Sequence, residues 1–580
     1  MLFRAASVAL TALVLVAGSL NAQAADLVAP DGTFDLNRFY TADENDRIMA
    51  ELHDRFPALT ELYAIGESLH GHPLMLMEVT NEATGPASEK PALYVDGGIH
   101  AAELTGSSVA LHLLGELLQE YGTDPRITEL LDTRAFYIRP KFNPDGSDLV
   151  LIQDQYLRSS RRPVDEDADG LFDEDPPQDL DGDGWITSMR VPDPEGGWYA
   201  HPDDPRLLVE IEDDVAPPAS ARRYRVLREG LDDDGDGRID EDGFGGNDMN
   251  RNFPRNWERI HLQPGAGPFP LSEPETRATV RFLIDHPNVT GVAHGHTSGG
   301  FVYRLPSASA PSRFPQDDLE LILHLGEEYT RTTGRPVVPS ATHPTRHRYG
   351  TLISWNYWDR GSVGWVPEYS PGPENWVEDY DGDGEVSLPE QMRHNEEELD
   401  GRYFSTWTTY DHPQLGAVEV GGWHTKFWGQ NPPPEHLEAE TTPQLSWHLY
   451  LAESSPLLTL SEPTVDAVED GVRISATVGN EGFLPTSLTG RGAVGRETDE
   501  GLVEQVVEPP YATLETEGDV RVQGPARLRL GHLRGTGPFL QRVGPATRTA
   551  SWTVEGTGRV RVVAHSGPGG VHRSAWIAVP

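Results

Sequence analysis

Cysteine is absent from the 580 residues, and only three lysines are present. Without cysteine the chain can form no disulfide and offers no thiolate, so a bound metal must be held by histidine, carboxylate or backbone oxygen. Basic residues number 46 against 92 acidic ones, which gives a formal net charge of −46. Because so acidic a chain repels nucleic acid and anionic membranes, we expect neither as a partner.

Long apolar runs are missing except at the N-terminus. There Arg4 precedes the apolar residues 5–20, and Ala22-Gln-Ala24 supplies the small residues of a cleavage site. This pattern is typical of a secretory signal over residues 1–24. No later segment has the length and apolarity of a transmembrane helix. We therefore expect a secreted or periplasmic protein with no membrane span.

Helical and strand patterns alternate from about residue 41 to residue 455, after a short lead of residues 25–40. The spacing of Ile48, Leu52 and Phe56 predicts a first helix. Further helices are predicted after Glu103, at 273–284 and at 317–332, and strands at 62–66, 74–79, 92–96, 134–139 and 289–296. Residues 163–246 are rich in Asp, Gly and Pro, which predicts an acidic insertion without regular structure that ends before Asp248.

The segment 456–580 has a different pattern. Short runs with period-two alternation, such as 471–478 and 558–564, are separated by Gly and Pro. They predict an all-β sandwich. No chemical motif is recognisable in this segment.

A strand-to-helix junction carries the clearest chemical signal. The strand at 92–96 ends at Gly97-Gly98, and His100 and Glu103 follow at the start of a helical pattern. Side chains three residues apart can face one point. An imidazole and a carboxylate supply two of the three protein ligands of an open zinc site, so a distant third ligand is needed. The same pair is also common as a solvated helix start.

Five motifs in order resemble the zinc metallocarboxypeptidase family of carboxypeptidase A type: His100-Ala-Ala-Glu103, Asn143-Pro-Asp-Gly146, Asn250-Arg-Asn-Phe253, His296-Thr-Ser-Gly-Gly300, and Trp355-Asn-Tyr357 followed by Pro367-Glu368. The resemblance covers about residues 40–455. It implies a three-layer α/β/α domain with a mixed central sheet, a bound Zn²⁺, and removal of residues from the C-termini of peptides or proteins. We expect a secreted bacterial member of the family.

The resemblance implies that His100, Glu103 and His296 bind zinc. His294 competes with His296, because residues two apart share one face of a strand. His296 is favoured because it directly precedes the Thr-Ser-Gly-Gly turn that follows the ligand in the family. His294 is interpreted as a buried histidine satisfied by hydrogen bonds.

The resemblance also implies that Glu368 is the general base and proton shuttle. Glu419 stands in a similar strand-end pattern, but the interval from the Trp-x-Tyr motif fits Glu368. Glu419 is therefore interpreted as a structural, paired carboxylate.

Two arginines and an asparagine match substrate contacts of the family. Arg158 matches the arginine that polarises the scissile carbonyl, although Arg161 is close enough to exchange with it. Asn250 and Arg251 match the pair that binds the terminal carboxylate of the substrate.

The sequence departs from the family at two contacts. Arg346 stands where the family usually has a mobile tyrosine, and Tyr349 is the candidate substitute. Ile353 occupies the floor of the specificity pocket, which indicates an apolar or aromatic substrate side chain.

An acidic loop matches the calcium loop of an EF-hand. The match predicts calcium ligands at Asp379, Asp381, Asp383, Glu385, Ser387 and Glu390. Related loops begin at Asp165, Asp179 and Asp232 but lack the final glutamate, so solvated acidic turns are an equal alternative for them.

The preferred hypothesis is a secreted zinc exopeptidase. The alternatives are an amidase or endopeptidase on cell-wall peptides that uses the same site, and a non-catalytic peptide-binding protein with a decayed site. Retention of every ligand and of Glu368 argues against decay. The sequence does not define an oligomeric state.

Overall fold

A computed structural model describes residues 26–165, 170–211, 217–218, 220–240, 242–342, 347–497 and 503–579. Some predicted residues lie outside these ranges. They are the signal sequence, Arg346, which stands where the family has a tyrosine, and Asp167 and Asp169 of the first acidic loop. Within them, no helix combines the length and apolarity needed to cross a membrane.

A mixed sheet forms the centre of the structure. Its strands run in the order Thr60–Glu67, Pro73–Val79, Ala135–Arg139, Ala92–Gly97, Val289–Thr297, Val363–Tyr369, Phe301–Arg304 and Val337–Pro339. The inner strands Ala135–Arg139, Ala92–Gly97, Val289–Thr297 and Val363–Tyr369 are parallel to one another. Antiparallel pairs connect Thr60–Glu67 and Pro73–Val79 on one side and Phe301–Arg304 on the other. The mixed sheet predicted from the resemblance is thus confirmed.

Helices pack on both faces of this sheet and bury its central strands on both sides. In strand Ala92–Gly97, Leu93 and Val95 belong to one apolar core and Tyr94 to the other. The first core is closed by helices Ala42–Arg55, Leu104–Glu120, Pro125–Thr133, Gln316–Thr333 and Leu437–Glu453. The second is closed by Pro274–Asp285, while Leu352–Arg360 contributes to both. The three-layer α/β/α fold is confirmed.

The acidic insertion contains regular structure, so its prediction as irregular was wrong. Its strands Ser188–Pro192, Trp198–Ala200, Leu208–Glu210 and Arg223–Arg228 form an antiparallel sheet with Phe404–His412 and Gly416–Trp423. Helix Leu388–Glu398 precedes the latter pair. The strand pairing joins residues about two hundred positions apart in sequence, for example Glu419 with Arg190.

The C-terminal region consists mainly of antiparallel strands, which confirms a β-rich region there; its arrangement as a sandwich stays a prediction. Its strands are Leu458–Leu460, Thr464–Val468, Gly471–Asn480, Tyr511–Gln523, Arg527–Arg529, Thr547–Ser566, Gly570–Arg573 and Ile577–Val579, with a separate pair Gly495–Glu497 and Val503–Gln505. The strands of the main sheet are connected through Thr547–Ser566 and enclose one apolar core. The region is attached to the α/β/α layers by the buried Asp318 carboxylate, which accepts hydrogen bonds from the backbone of Gly490 and Arg491 at 2.6 and 3.0 Å.

Candidate active site

Gly97 allows the close turn that positions His100 and Glu103. A Cβ on Gly97 would lie 2.1 Å from the carbonyl oxygen of Gly106, so only glycine lets helix Leu104–Glu120 start against the strand end. Gly98 then adopts φ +72°, which favours glycine. His100 and Glu103 lie on this turn and are both buried.

His296, at the end of strand Val289–Thr297, completes a cluster with these two residues. Its Nδ1 atom lies 2.8 Å from Glu103 Oε2 and 3.1 Å from His100 Nδ1, while His100 Nδ1 lies 2.7 Å from Glu103 Oε1. Two imidazole nitrogens and both carboxylate oxygens thus converge on one buried point. The structure brings the three predicted zinc ligands together.

The protonation of the cluster suits a cation, because metal ligands bind as neutral imidazole and ionised carboxylate. Burial lowers the pKa of His296 to about 3, which keeps its ring neutral. Burial alone would raise the pKa of Glu103, but the adjacent His100 and His296 outweigh it and hold that pKa below the ordinary value. Residues and donor atoms therefore fit a zinc ion.

His294 has the structural environment predicted for it. Its side chain is buried, and Nδ1 lies 2.5 Å from the carboxylate of Asp96 on the neighbouring strand. Its ring packs against Phe142 and against the ring of His296. It is not part of the convergent cluster.

Glu368 lies beside the cluster on the adjacent strand Val363–Tyr369, where it is in register with His296. It lines a cleft together with His100 and His296. Burial raises the pKa of Glu368 well above its ordinary value, and the Glu103 carboxylate adds to the rise, against the opposing charge of Arg158. A partly buried carboxyl with a raised pKa facing a metal cluster is suited to proton transfer.

The structure separates the competing candidates from this cleft. Glu419 accepts a hydrogen bond from Arg190 Nε at 3.0 Å within the insertion sheet, as expected for a paired strand carboxylate. Arg161 places its guanidinium 5.9 Å from the ring of Phe244. Arg158, by contrast, lines the cleft.

Asp248 was not predicted as a site residue, yet it connects three functional side chains. Its carboxylate lies 3.0 Å from His100 Nε2 and accepts a hydrogen bond from Arg158 Nε at 3.0 Å, and Arg251 Nη2 lies 3.8 Å away. Burial alone would raise its pKa, but Arg158 and Arg251 outweigh it and hold the pKa well below the ordinary value. In the sequence, the feature that could have indicated Asp248 is its position two residues before Asn250.

Arg158 is held between carboxylates and the main chain near the metal cluster. Its Nη1 donates to Glu103 Oε1 at 3.2 Å, and its carbonyl oxygen accepts from Ala101 N at 3.3 Å. Asn143 supports the same segment by donating to Ser159 O at 2.9 Å. Asn143 also caps helix Pro144–Gln153, where its Oδ1 accepts a hydrogen bond from Gly146 N at 3.0 Å.

Asn250 and Arg251 lie on a 3₁₀ turn, Met249–Arg251, at the cleft. Asn250 Nδ2 lies 3.2 Å from His296 Nε2, and its Oδ1 accepts from Leu352 N at 3.1 Å. Asn250 thus orients a predicted metal ligand. Its contact with a substrate carboxylate stays a prediction, as does that of Arg251.

Ile353 lines the cleft, as predicted, but Tyr349, the predicted substitute for the family tyrosine, is not among the residues that line it. The backbone N–H of Tyr349 donates to Gln263 Oε1 at 3.3 Å. Its neighbour Arg348 lines the cleft in its place. The cleft is also lined by Tyr303, Ser307, Ser340, Arg348, Thr351, Ile353 and Val366, so it is not apolar throughout.

Three of the acidic loops share the hydrogen bonds of their first aspartate. In the loops that begin at Asp179, Asp232 and Asp379, the first aspartate accepts hydrogen bonds from the two glycine N–H groups three and five residues later. Carboxylates of Asp379, Asp381 and Asp383 lie within 4.8 Å of one another, and so do those of Asp232, Asp234 and Asp236. Asp179 and Asp181 are joined by the distant, buried Glu229.

The last predicted ligands of the Asp379 loop are placed differently from the three aspartates. Glu390 caps helix Leu388–Glu398, where it accepts from Ser387 N at 2.8 Å and from Tyr380 N at 2.7 Å. Within the described residues, neither Glu385 nor Glu390 joins the aspartate group. Backbone hydrogen bonding, led by Ser387, lowers the pKa of Glu390 to about 2.

The sequence matches the zinc carboxypeptidase family over residues 46–371 and a domain of unknown function over residues 457–575. The first match covers more than half of the chain and contains every residue of the metal cluster together with Glu368. The chain belongs to the zinc carboxypeptidase family.

Individual relatives match shorter segments. Carboxypeptidase A2 of Rattus norvegicus is 36% identical over 115 residues, which are 20% of this chain and 26% of the relative. Carboxypeptidase D of Anas platyrhynchos is 31% identical over 93 residues, 16% of this chain and 7% of that protein. The chain thus spans about a quarter or less of these two relatives. The solved carboxypeptidase A from Helicoverpa armigera has 15% identity and a TM-score of 0.43, with 73% of this chain and 75% of that chain covered.

Proposed function

We propose that this chain is a zinc-dependent metallocarboxypeptidase that removes residues from the free C-termini of peptides. The observation that supports this most is the buried cluster of His100, Glu103 and His296 in one cleft with Glu368. A zinc ion held by these three residues would supply a Lewis acid that activates water and polarises the scissile carbonyl.

The other cleft residues would transfer protons, stabilise the oxygen that gains charge, and bind the substrate. Glu368 takes the proton from the attacking water and passes it to the departing amine, which its raised pKa favours. Arg158 donates to the oxygen that gains negative charge, and Asp248 positions both Arg158 and His100. Arg251 binds the terminal carboxylate, and this contact selects a free C-terminus over an internal bond.

Digestion of mixed peptides with free and amidated C-termini tests the proposed reaction. We expect stepwise shortening of the free peptides and none of the amidated ones, because the Arg251 guanidinium would pair with a charged terminal carboxylate but not with a neutral amide. Mass spectrometry distinguishes the outcomes. Internal cuts would instead support the endopeptidase or amidase on cell-wall peptides, and binding without any cleavage would support the peptide-binding protein.

We also propose that the protein is exported and is built of a catalytic domain at 41–455 and a β domain from 456. The apolar N-terminal pattern supports export, and the mature N-terminus determined from protein outside the cytoplasm tests it. The two family matches, which end at residue 371 and begin at residue 457, support a boundary between them.

We further propose that the loop beginning at Asp379 binds calcium, supported by its three convergent aspartates. Calcium binding stabilises the folded state by about 2.7 kcal/mol at a hundredfold excess over the dissociation constant. A calcium-selective chelator and Asp383→Asn should each lower the melting temperature and the activity while zinc stays bound. Glu385→Gln, which lies outside the aspartate group, is the control. Unchanged melting with both chelator and Asp383→Asn would show a solvated acidic turn.

A further inference from the structure

The wall of the cleft contains a buried arginine, Arg348, that the proposed reaction does not use. Arg348 is 8% exposed, and its guanidinium lies 4.6 Å from the ring centre of Tyr303. It donates to the Tyr303 hydroxyl at 3.0 Å and to the carbonyl oxygen of Ser340. These contacts fix the guanidinium in one orientation at the cleft wall.

Ser307 adds a polar group to the same wall. Its side chain is 1% exposed, and within the described residues its Oγ atom has no hydrogen-bond partner. A buried hydroxyl without a partner costs free energy unless a ligand or water supplies one. A donor of this kind beside a fixed guanidinium suits an anionic ligand.

Arginines are concentrated around the cleft of this acidic chain. Three arginines, Arg158, Arg251 and Arg348, line the cleft, and they also line an adjoining cavity of about 580 Å³ together with His347. The acidic groups at these cavities are Glu368, Asp248 and the adjoining Glu103, and Asp248 and Glu103 both pair with Arg158. In a chain of net charge −46, a cleft lined by three arginines is a place where an anionic group can be bound.

One terminal carboxylate does not account for three arginines. In the proposed reaction Arg158 serves the scissile carbonyl and Arg251 the terminal carboxylate. Arg348 lines the cleft with Ile353 and Val366, whose apolar side chains would pack against the methylene groups of a substrate side chain. The Arg348 guanidinium at the same wall would then meet the tip of that side chain.

We propose that Arg348 and Ser307 bind a carboxylate on the side chain of the substrate's C-terminal residue, so that the enzyme prefers acidic C-terminal residues. This inference rests on the proposed carboxypeptidase function. It replaces the apolar preference that Ile353 alone indicates. Glutamate and aspartate side chains are ionised at neutral pH, and a fixed guanidinium binds a carboxylate through two parallel hydrogen bonds.

Peptides that differ only in a C-terminal Glu, Gln or Leu test the assignment. The wild type should hydrolyse the Glu peptide with a kcat/KM about 10- to 100-fold above that of the isosteric Gln peptide, the range expected for a hydrogen-bonded charge. Arg348→Gln should bring this Glu-to-Gln ratio close to one, and Arg348→Lys should restore part of it. Arg331→Gln, an exposed helix arginine paired with Glu328, should leave the ratio and the activity unchanged.

The outcomes separate this inference from the proposed function. A wild type that shortens all free peptides but does not favour Glu overturns the inference and leaves the function intact. An equal loss on all three peptides in Arg348→Gln also overturns it, because Arg348 would then act on the terminal carboxylate or on the fold. No shortening of any free peptide contradicts the proposed function itself, and the inference falls with it.

Discussion

Glu368→Gln is expected to lower kcat/KM for hydrolysis of free C-terminal peptides by about 10²- to 10⁴-fold. Glutamine keeps the size of the side chain but cannot take a proton from water. The loss should appear in kcat, because the residue acts on the reacting atoms. Zinc content should not change, since the metal cluster of His100, Glu103 and His296 does not include Glu368.

Glu419→Gln is the matched control for this experiment. Glu419 stands in a similar sequence pattern but pairs with Arg190 in the insertion sheet. Its substitution should leave kcat and KM near wild-type values. A large loss of kcat in Glu419→Gln with retained activity in Glu368→Gln would contradict the assignment of the base.

His296→Gln is expected to lose bound zinc, and hydrolysis with it. Zinc sites of this kind have three protein ligands, and removal of one leaves only His100 and Glu103. Metal analysis of the purified variant should give far less than one zinc per chain, against about one in the wild type.

His294→Gln provides the control for the zinc prediction. The glutamine amide can still donate to Asp96, which compensates for the lost imidazole contact at this buried pair. The variant should retain zinc. If His294→Gln loses zinc while His296→Gln keeps it, the ligand assignment is wrong.

Local sequence patterns were sufficient for the elements that carry the metal cluster. The apolar run before Gly97 and the helical spacing after Glu103 correspond to strand Ala92–Gly97 and helix Leu104–Glu120. His100 and Glu103 were therefore identifiable from neighbouring residues. His296 and Glu368 required the resemblance to a family, because no local pattern relates them to His100.

Structure formed by distant residues was not predictable in this way. The strands of the insertion have few apolar residues, and their partners Phe404–His412 and Gly416–Trp423 lie far along the chain. Glu229 likewise reaches the Asp179 loop from about fifty residues away. Pairing across such separations leaves no periodic signal in either segment alone.

Asp248 and Arg348 were missed for a related reason. Each acts through side chains from other elements, Asp248 on His100 and Arg158, and Arg348 on Tyr303. An aspartate in an acidic chain and an arginine in a polar loop are unremarkable by composition. Their roles depend on burial, which the folded structure alone reveals.

Anomalous X-ray diffraction at the zinc absorption edge, from crystals of the wild-type protein, tests the central claim most directly. We predict one strong peak about 2.0–2.2 Å from His100 Nδ1, His296 Nδ1 and the Glu103 carboxylate, on the side of the cleft that holds Glu368. A strong zinc peak at His294, or among Asp179, Asp181 and Glu229 with none at His100, would contradict it.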